Sequence, residues 1–265
     1  MPLGCYFVSD SKWISRTTEV ISTLRRLGFD GRCGVLFIDS PSVVEMAALR
    51  VLSVGTACLD ADHLQKEYPR TGLKLLMPHY FVDDYYVLLD SDLMILSLAF
   101  LDHVGEDPDR IAAVVESDVR WRIGKKGIGA YHRVIVGKRV IQTGLIAFAR
   151  SHWLRFFPAV WRLAQNEPSD FGDMVAINIY IRRNPGQLRA LGEEDCLVLR
   201  PNLRGSSSKN HLPFVRLQRG RILYKGRPVS VIHCTNSGGA RAEFRDIVEV
   251  LKRPRGIGQP PPRIK

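Results

Sequence analysis

Over residues 1–90, short apolar runs alternate with stretches of helical periodicity. Residues 5–8 predict a strand, and residues 16–27 repeat apolar positions at helical spacing before Gly28, where a helix is expected to stop. Residues 33–38 predict a second strand. Ser42 and Glu45 stand at capping-box spacing ahead of the apolar stretch 43–52, so a second helix starts there. A short strand is expected at 57–59 and a helix carrying Pro78 at 73–81. The run Tyr85-Tyr86-Val87-Leu88-Leu89 predicts a strand buried on both faces. Alternating strands and helices imply crossover connections, hence a mostly parallel sheet that binds ligands beyond the carboxyl ends of its strands. Asp10, Asp39 and Asp90 all stand at such ends.

The second half is mixed. Strands are expected at 111–115 and 144–149, and a glycine-rich loop with Lys125 and Lys126 at 124–130. A helix capped by Ser151 should run to about Asn166, and another, capped by Ser169 or Asp170, to about Arg183. Residues 205–208 predict a loop and 228–233 a late strand. The tail 253–265, with four prolines and two glycines, is expected to be disordered. No repeat or linker divides the chain, so a single domain is expected over 1–252.

Composition narrows the class. The chain is 45% hydrophobic and 25% charged over 265 residues, enough for a substantial core. No apolar run approaches the ~18 residues of a membrane span, and the first residues lack the basic and apolar regions of a signal peptide. Five cysteines without CxxC spacing predict reduced thiols and a cytoplasmic location. The net charge of +11 is uneven: residues 119–139 hold seven Lys/Arg and no acid, and residues 196–227 hold eight, again with no acid. Such asymmetry suits an anionic partner, whether nucleotide phosphate, nucleic acid or an acidic membrane face, although a solvated basic surface has the same composition.

The candidate chemistry centres on Asp90-Ser91-Asp92, where the buried strand ends. Two carboxylates there are costly to bury unpaired, and a hard divalent cation carrying phosphate oxygens resolves that cost. The alternative is that both cap the turn where the strand exits. A second such pair, Asp60 and Asp62, follows only a short apolar run and reads as a strand end and helix cap.

In order along the chain, Asp10-Ser11-Lys12-Trp13, Lys74 sixteen residues before Asp90, Asp90-Ser91-Asp92, Gln142-Thr143-Gly144, Asp173 with Asn178, and His233 resemble the motif series of glycosyltransferase family 8, the family of the glycogenins and bacterial lipooligosaccharide galactosyltransferases. The similarity covers about residues 5–240 and implies a GT-A fold: an α/β domain with a mixed, mostly parallel central sheet flanked by helices. It implies a nucleotide-binding half near 1–118 and an acceptor-binding half near 119–252. It further implies transfer of a hexose from a nucleotide sugar, UDP-linked, to an acceptor, with retention of configuration.

By the same resemblance Asp90, Asp92 and His233 hold Mn²⁺ or Mg²⁺, and the imidazole favours Mn²⁺. Asp10, Trp13, Lys74, Asp90, Ser91, Thr143, Gly144, Asn236 and Arg241 contact the donor, and Asp173 and Gln142 serve catalysis. The chain departs from the pattern at Gln142, where the family has Asn, at Met174, where it has Gln, and at Arg241, two residues beyond the family's Lys. Each residue has a plainer reading: Trp13 as packing, Asp173 as a first-turn acid favoured by the helix dipole, His233 as a half-buried hydrogen-bonded histidine. Asn178, five residues beyond Asp173, cannot share its helix face well. The 124–130 loop would fold over the donor phosphates, and the basic tail would touch an anionic membrane. Two other classes remain open: a sugar-phosphate nucleotidyltransferase, which lacks its glycine-rich basic signature here, and a non-catalytic nucleic-acid-binding protein, for which no motif is present.

Overall fold

The computed structural model describes residues 3–59, 70–116, 140–165, 172–199 and 214–234. The chain opens with strand β1 (Leu3–Ser9), helix α1 (Ile14–Arg26), β2 (Arg32–Phe37), α2 (Val43–Val51) and β3 (Val54–Cys58). The expected capping box is present: Ser42 N–H donates to Glu45 Oε2 at 2.6 Å, and Glu45 N–H to Ser42 Oγ at 3.3 Å. Gly28 follows α1 at φ +95°, the left-handed region that lets the chain turn back. The third strand begins at Val54, three residues earlier than the apolar pattern indicates.

The helix expected over 73–81 is two pieces. A 3-10 helix, Arg70–Leu76, runs into a single turn, α3 (Met77–Tyr80), with Pro78 in its first turn, where no amide hydrogen is needed. Then come β4 (Tyr85–Leu89), β5 (Leu93–Ile95), α4 (Ala99–Val104), β6 (Ile111–Glu116) and β7 (Val140–Ala149). Helix α5 (Arg150–Gln165) follows β7 directly, so Ser151 lies inside it rather than capping it. Arg150 holds that junction, with its N–H on Asp84 O at 2.8 Å and its guanidinium on Pro78 O at 2.9 Å. The rest comprises α6 (Gly172–Arg183), β8 (Leu188–Leu191), β9 (Cys196–Leu199), β10 (Val215–Gln218), β11 (Arg221–Tyr224), β12 (Arg227–Pro228) and β13 (Val231–Cys234). Asp60, Asp62, the 124–130 loop, Ser169, Asp170, residues 205–208, Asn236, Arg241 and the tail lie outside the described residues.

A seven-stranded sheet runs β3-β2-β1-β4-β7-β6-β8. Every neighbouring pair is parallel except those made by β7, which is antiparallel to β4 and β6. The chain leaves β1 toward β2 and β3 and returns to pair β4 on the other side of β1, so a crevice opens between the ends of β1 and β4. Alternate residues of the strands face two cores. Cys5, Phe7, Val35 and Val87 pack with Ile21 and Leu24 of α1, and Tyr6, Leu36, Tyr86 and Leu88 lie with Trp153, Phe156 and Ile177 of α5 and α6. All five residues of β4 are buried. At roughly 1.5–3 kcal/mol for each large side chain buried, β4 is firmly held, and it ends at Asp90.

A second sheet, β5-β13-β9, forms beside the first. Its register sets Ile232 against Met94 and His233 against Leu93, the residue after Asp92. Ile232 joins an outer cluster with Leu197, Val215 and Ile222 from the β10–β12 meander. Cys5, Cys33, Cys58 and Cys196 are free thiols. No helix among the described residues is long and apolar enough to cross a membrane.

Candidate active site

The carboxyl ends of β1 and β4, the irregular middle of β7 and the end of β13 bring the site together. Between β6 and β7 the register slips: Ala113 faces Ile146, but the next residue, Val114, faces Gln142. Thr143, Gly144 and Leu145 thus stand outside the β6 ladder, and their carbonyls can serve the site. Thr143 O accepts from Lys74 Nζ at 2.9 Å, and Gly144 O accepts from Asp90 N–H at 2.9 Å. Lys74, from the 3-10 helix, also reaches Asp90 Oδ1 at 2.8 Å and Asp173 Oδ2 at 3.1 Å. One buried ammonium therefore joins a carboxylate from the first half of the chain to one from the second. Burial alone would lower its pKa, but Asp173 and Asp90 more than offset that and raise it, so Lys74 stays charged.

On the far side of Asp90, His233 Nε2 lies 3.2 Å from Asp92 Oδ1. One ligand atom each from Asp90, Asp92 and His233 fall within 4.8 Å of one another. Two carboxylates this close repel by roughly 3 kcal/mol at an effective dielectric near 20, so the arrangement needs positive charge between them. Burial pushes the Asp90 carboxyl up against the pull of Lys74, whereas at Asp92 burial is offset by His233, a backbone hydrogen bond and Lys74 together, which hold its carboxyl down. Burial works against the His233 imidazolium, but Asp92 and then Asp90 override it and raise its pKa.

A divalent cation fits these residues. Asp92 Oδ1 is buried with His233 Nε2 as its one near partner, and His233 Nδ1 is buried without a hydrogen bond among the described residues, so both retain acceptor capacity for a ligand. Two carboxylate oxygens and an imidazole suit Mn²⁺ or Mg²⁺ that completes its shell with substrate oxygens. Gly144 makes the geometry possible, because a Cβ there would lie 2.2 Å from His233 Cε1. His233 is 4% exposed, more deeply placed than the half-buried histidine of the plainer reading.

The other expected residues divide. Asp173 stands in the first turn of α6, as the plainer reading has it, but it is also 2% exposed and ion-paired with Lys74. Gln142 is buried, and its amide donates to the Glu116 carboxylate. Asp10 Oδ1 accepts Trp13 N–H at 2.9 Å and closes the turn into α1, and Trp13 is half-buried. Ser91 turns its hydroxyl toward α1, 2.7 Å from Thr17 Oγ1. Asn178 stands apart: its amide brackets Ile141, accepting from N at 3.0 Å and donating to O at 3.0 Å, and donates to Met174 O at 2.8 Å. That work fixes β7 against α6.

Sequence reasoning missed Glu116. No local pattern marks it: only the folded sheet shows that β6 runs parallel to β4 across β7 and that Glu116 ends it at the same sheet edge as Asp90. Thr17 gave no signal either, since a threonine within a helix is ordinary.

No protein family matches the chain, and no curated protein matches it. Solved structures do. The galactosyltransferase LgtC, solved with donor and acceptor sugar analogues, aligns at TM-score 0.59 and 15% identity over 95% of this chain and 97% of that one. Mouse xyloside xylosyltransferase 1 aligns at 0.55 and 14% identity over 88% and 97%. The glycosyltransferase GlyE of Streptococcus pneumoniae aligns at 0.51 and 18% identity over 72% and 45%. The likeness lies in the path of the backbone rather than in the residues along it, and it establishes the architecture: this chain has the GT-A fold of these glycosyltransferases.

Proposed function

We propose that this chain is a glycosyltransferase that moves a hexose from a nucleotide sugar, UDP-linked, to an acceptor with retention of configuration. The observation that carries this is the convergence of Asp90, Asp92 and His233 within 4.8 Å at the crevice edge of a sheet with the GT-A fold. These three would hold Mn²⁺, or Mg²⁺ in its place. When bound, such a cation supplies Lewis-acid stabilisation of a departing diphosphate.

The chain's own residues account for the rest. Lys74 fixes Asp90 and Asp173 in one frame, so the carboxylate that faces the sugar cannot move independently of the one that faces the phosphates. Asp173 is the candidate for steadying positive charge that develops on the sugar. Gln142, oriented by Glu116, is the candidate for holding the reacting hydroxyls. Asp10 and Trp13 would border the nucleoside in the crevice beside β1. Thr143 and Gly144 would line the donor sugar, and Asn236 and Arg241 would clamp the phosphates. The loop 124–130 would cover the donor. Residues 1–252 would form one catalytic domain, with the donor side in 1–118. The protein would act in the cytoplasm, with the basic tail against an anionic membrane face at about 1 kcal/mol per cation.

A panel of nucleotide sugars with Mn²⁺ and no acceptor tests the reading. Slow release of nucleoside diphosphate from one UDP-hexose is expected. Cleavage of none of them, together with pyrophosphate release from a nucleoside triphosphate and a sugar phosphate, would replace it with nucleotidyl transfer.

A further inference from the structure

Ser91 separates the two carboxylates, and both of its polar groups on the α1 side are engaged. Its carbonyl accepts from Arg16 Nε at 3.2 Å, and its hydroxyl lies 2.7 Å from Thr17 Oγ1. Either oxygen of that second pair can be the donor. Thr17 Oγ1 also lies within hydrogen-bond reach of Ser9 Oγ at 3.0 Å and Trp13 O at 3.2 Å. Thr17 therefore links Ser91 to the end of β1 and the start of α1, whichever way its single proton points. Ser9 in turn donates to Asp10 O at 3.3 Å. A relay of hydroxyl contacts therefore runs from Ser91 through Thr17 and Ser9 to the Asp10 carbonyl. It spans the crevice floor from the end of β4 to the end of β1.

We propose that Thr17, with Arg16, is a positioning residue for the carboxylate pair, a proposal that rests on the metal reading above. Asp90 and Asp92 flank a residue anchored through both its side chain and its carbonyl, so their spacing is fixed before any cation arrives. Thr17 is fully buried, touches neither carboxylate and acts only through Ser91. Its hydroxyl is the required feature. Valine has the same shape but cannot hydrogen-bond with Ser91, whereas serine can.

Mn²⁺ binding to the full-length protein, read from the electron paramagnetic resonance signal of free Mn²⁺, tests this in wild type, Thr17→Val, Thr17→Ser and Asp92→Asn. Loss of the hydroxyl should weaken Mn²⁺ binding about tenfold, the lower end for groups that orient metal ligands. Thr17→Ser should restore it, and Asp92→Asn should abolish it. The Mn²⁺ concentration for half-maximal donor cleavage should rise in parallel, with turnover at saturating Mn²⁺ little changed. A folded Thr17→Val protein that binds Mn²⁺ like wild type overturns the relay alone. If that variant fails to fold, Ser91→Ala breaks the same link from the partly exposed side, and wild-type affinity there overturns it equally. If the wild-type protein binds no Mn²⁺ that Asp92→Asn removes, the metal reading falls and the relay with it.

Discussion

Replacing Gly144 with alanine should disable the site through one steric contact. The added Cβ would stand 2.2 Å from His233 Cε1, 2.5 Å from Nδ1 and 2.8 Å from Nε2. Carbon atoms in contact prefer about 3.5 Å, so the imidazole must retreat by more than about 1 Å. Metal ligands tolerate about 0.2 Å, and a misplacement near 1 Å can lower turnover by about a hundredfold. The ring has little freedom to accommodate, because β13 is paired on both sides, with β5 and β9. The backbone is not at issue. Gly144 is absent from the positive-φ glycines, and its carbonyl bond to Asp90 N–H survives in alanine. Overpacking of this kind costs roughly 1–3 kcal/mol, which corresponds to a fall in Tm of about 2–4 °C per kcal/mol for a chain of this size. Thermal melts with and without Mn²⁺, together with donor cleavage, read both effects. A Gly144→Ala protein that keeps a wild-type Mn²⁺ shift and turnover would refute the placement of His233 over Gly144.

Three other outcomes follow from paired polar groups. Lys74→Met leaves Asp90 and Asp173 without their shared cation, and urea unfolding should show a loss of about 3 kcal/mol or more; a loss within experimental error would mean the triad does not hold the halves together. Asn178→Leu orphans the Ile141 N–H and carbonyl at a cost of roughly 2–5 kcal/mol, but the surviving folded protein should keep the wild-type KM for donor, so a KM defect would return Asn178 to the site. Hydrogen bonding to Asp195, and then its charge, raise the pKa of His103 above its ordinary value. That pair's stabilisation is therefore complete below about pH 6.5 and fades as pH rises through the folded value. The Tm difference between wild type and His103→Gln should hold steady below about pH 6.5 and shrink as pH rises above it, and a constant difference would contradict the pairing.

Local signals located much of this in the sequence. The apolar run at Tyr85–Leu89 marked the buried strand and its terminal carboxylates, and Ser42 with Glu45 marked a helix start that the capping box reproduces. What stayed hidden depends on contacts far apart in the chain. His233 meets Asp92 only because β13 pairs antiparallel with β5 from well over a hundred residues away, a register that no local pattern encodes, and its site role was legible only through family resemblance. The family resemblance sets Ser91 at the donor, but nothing near it in sequence reveals that its hydroxyl meets Thr17 and its carbonyl meets Arg16. Ser151 looked like a cap by residue type, yet Arg150 starts the helix because Asp84 and Pro78 supply acceptors across the turn. Gln142 and Glu116 each looked unremarkable alone. Their partnership appears only when the slip in β6–β7 register brings them opposite one another's strand.

Asp90, Asp92 and His233 would together hold a divalent cation. Crystals grown with UDP and Mn²⁺, with diffraction recorded at the manganese absorption edge, would reveal it. An anomalous peak bonded to one atom from each of these three side chains, with UDP phosphate oxygens completing the shell, is expected. A manganese peak elsewhere, or UDP bound with none between those residues, would contradict it.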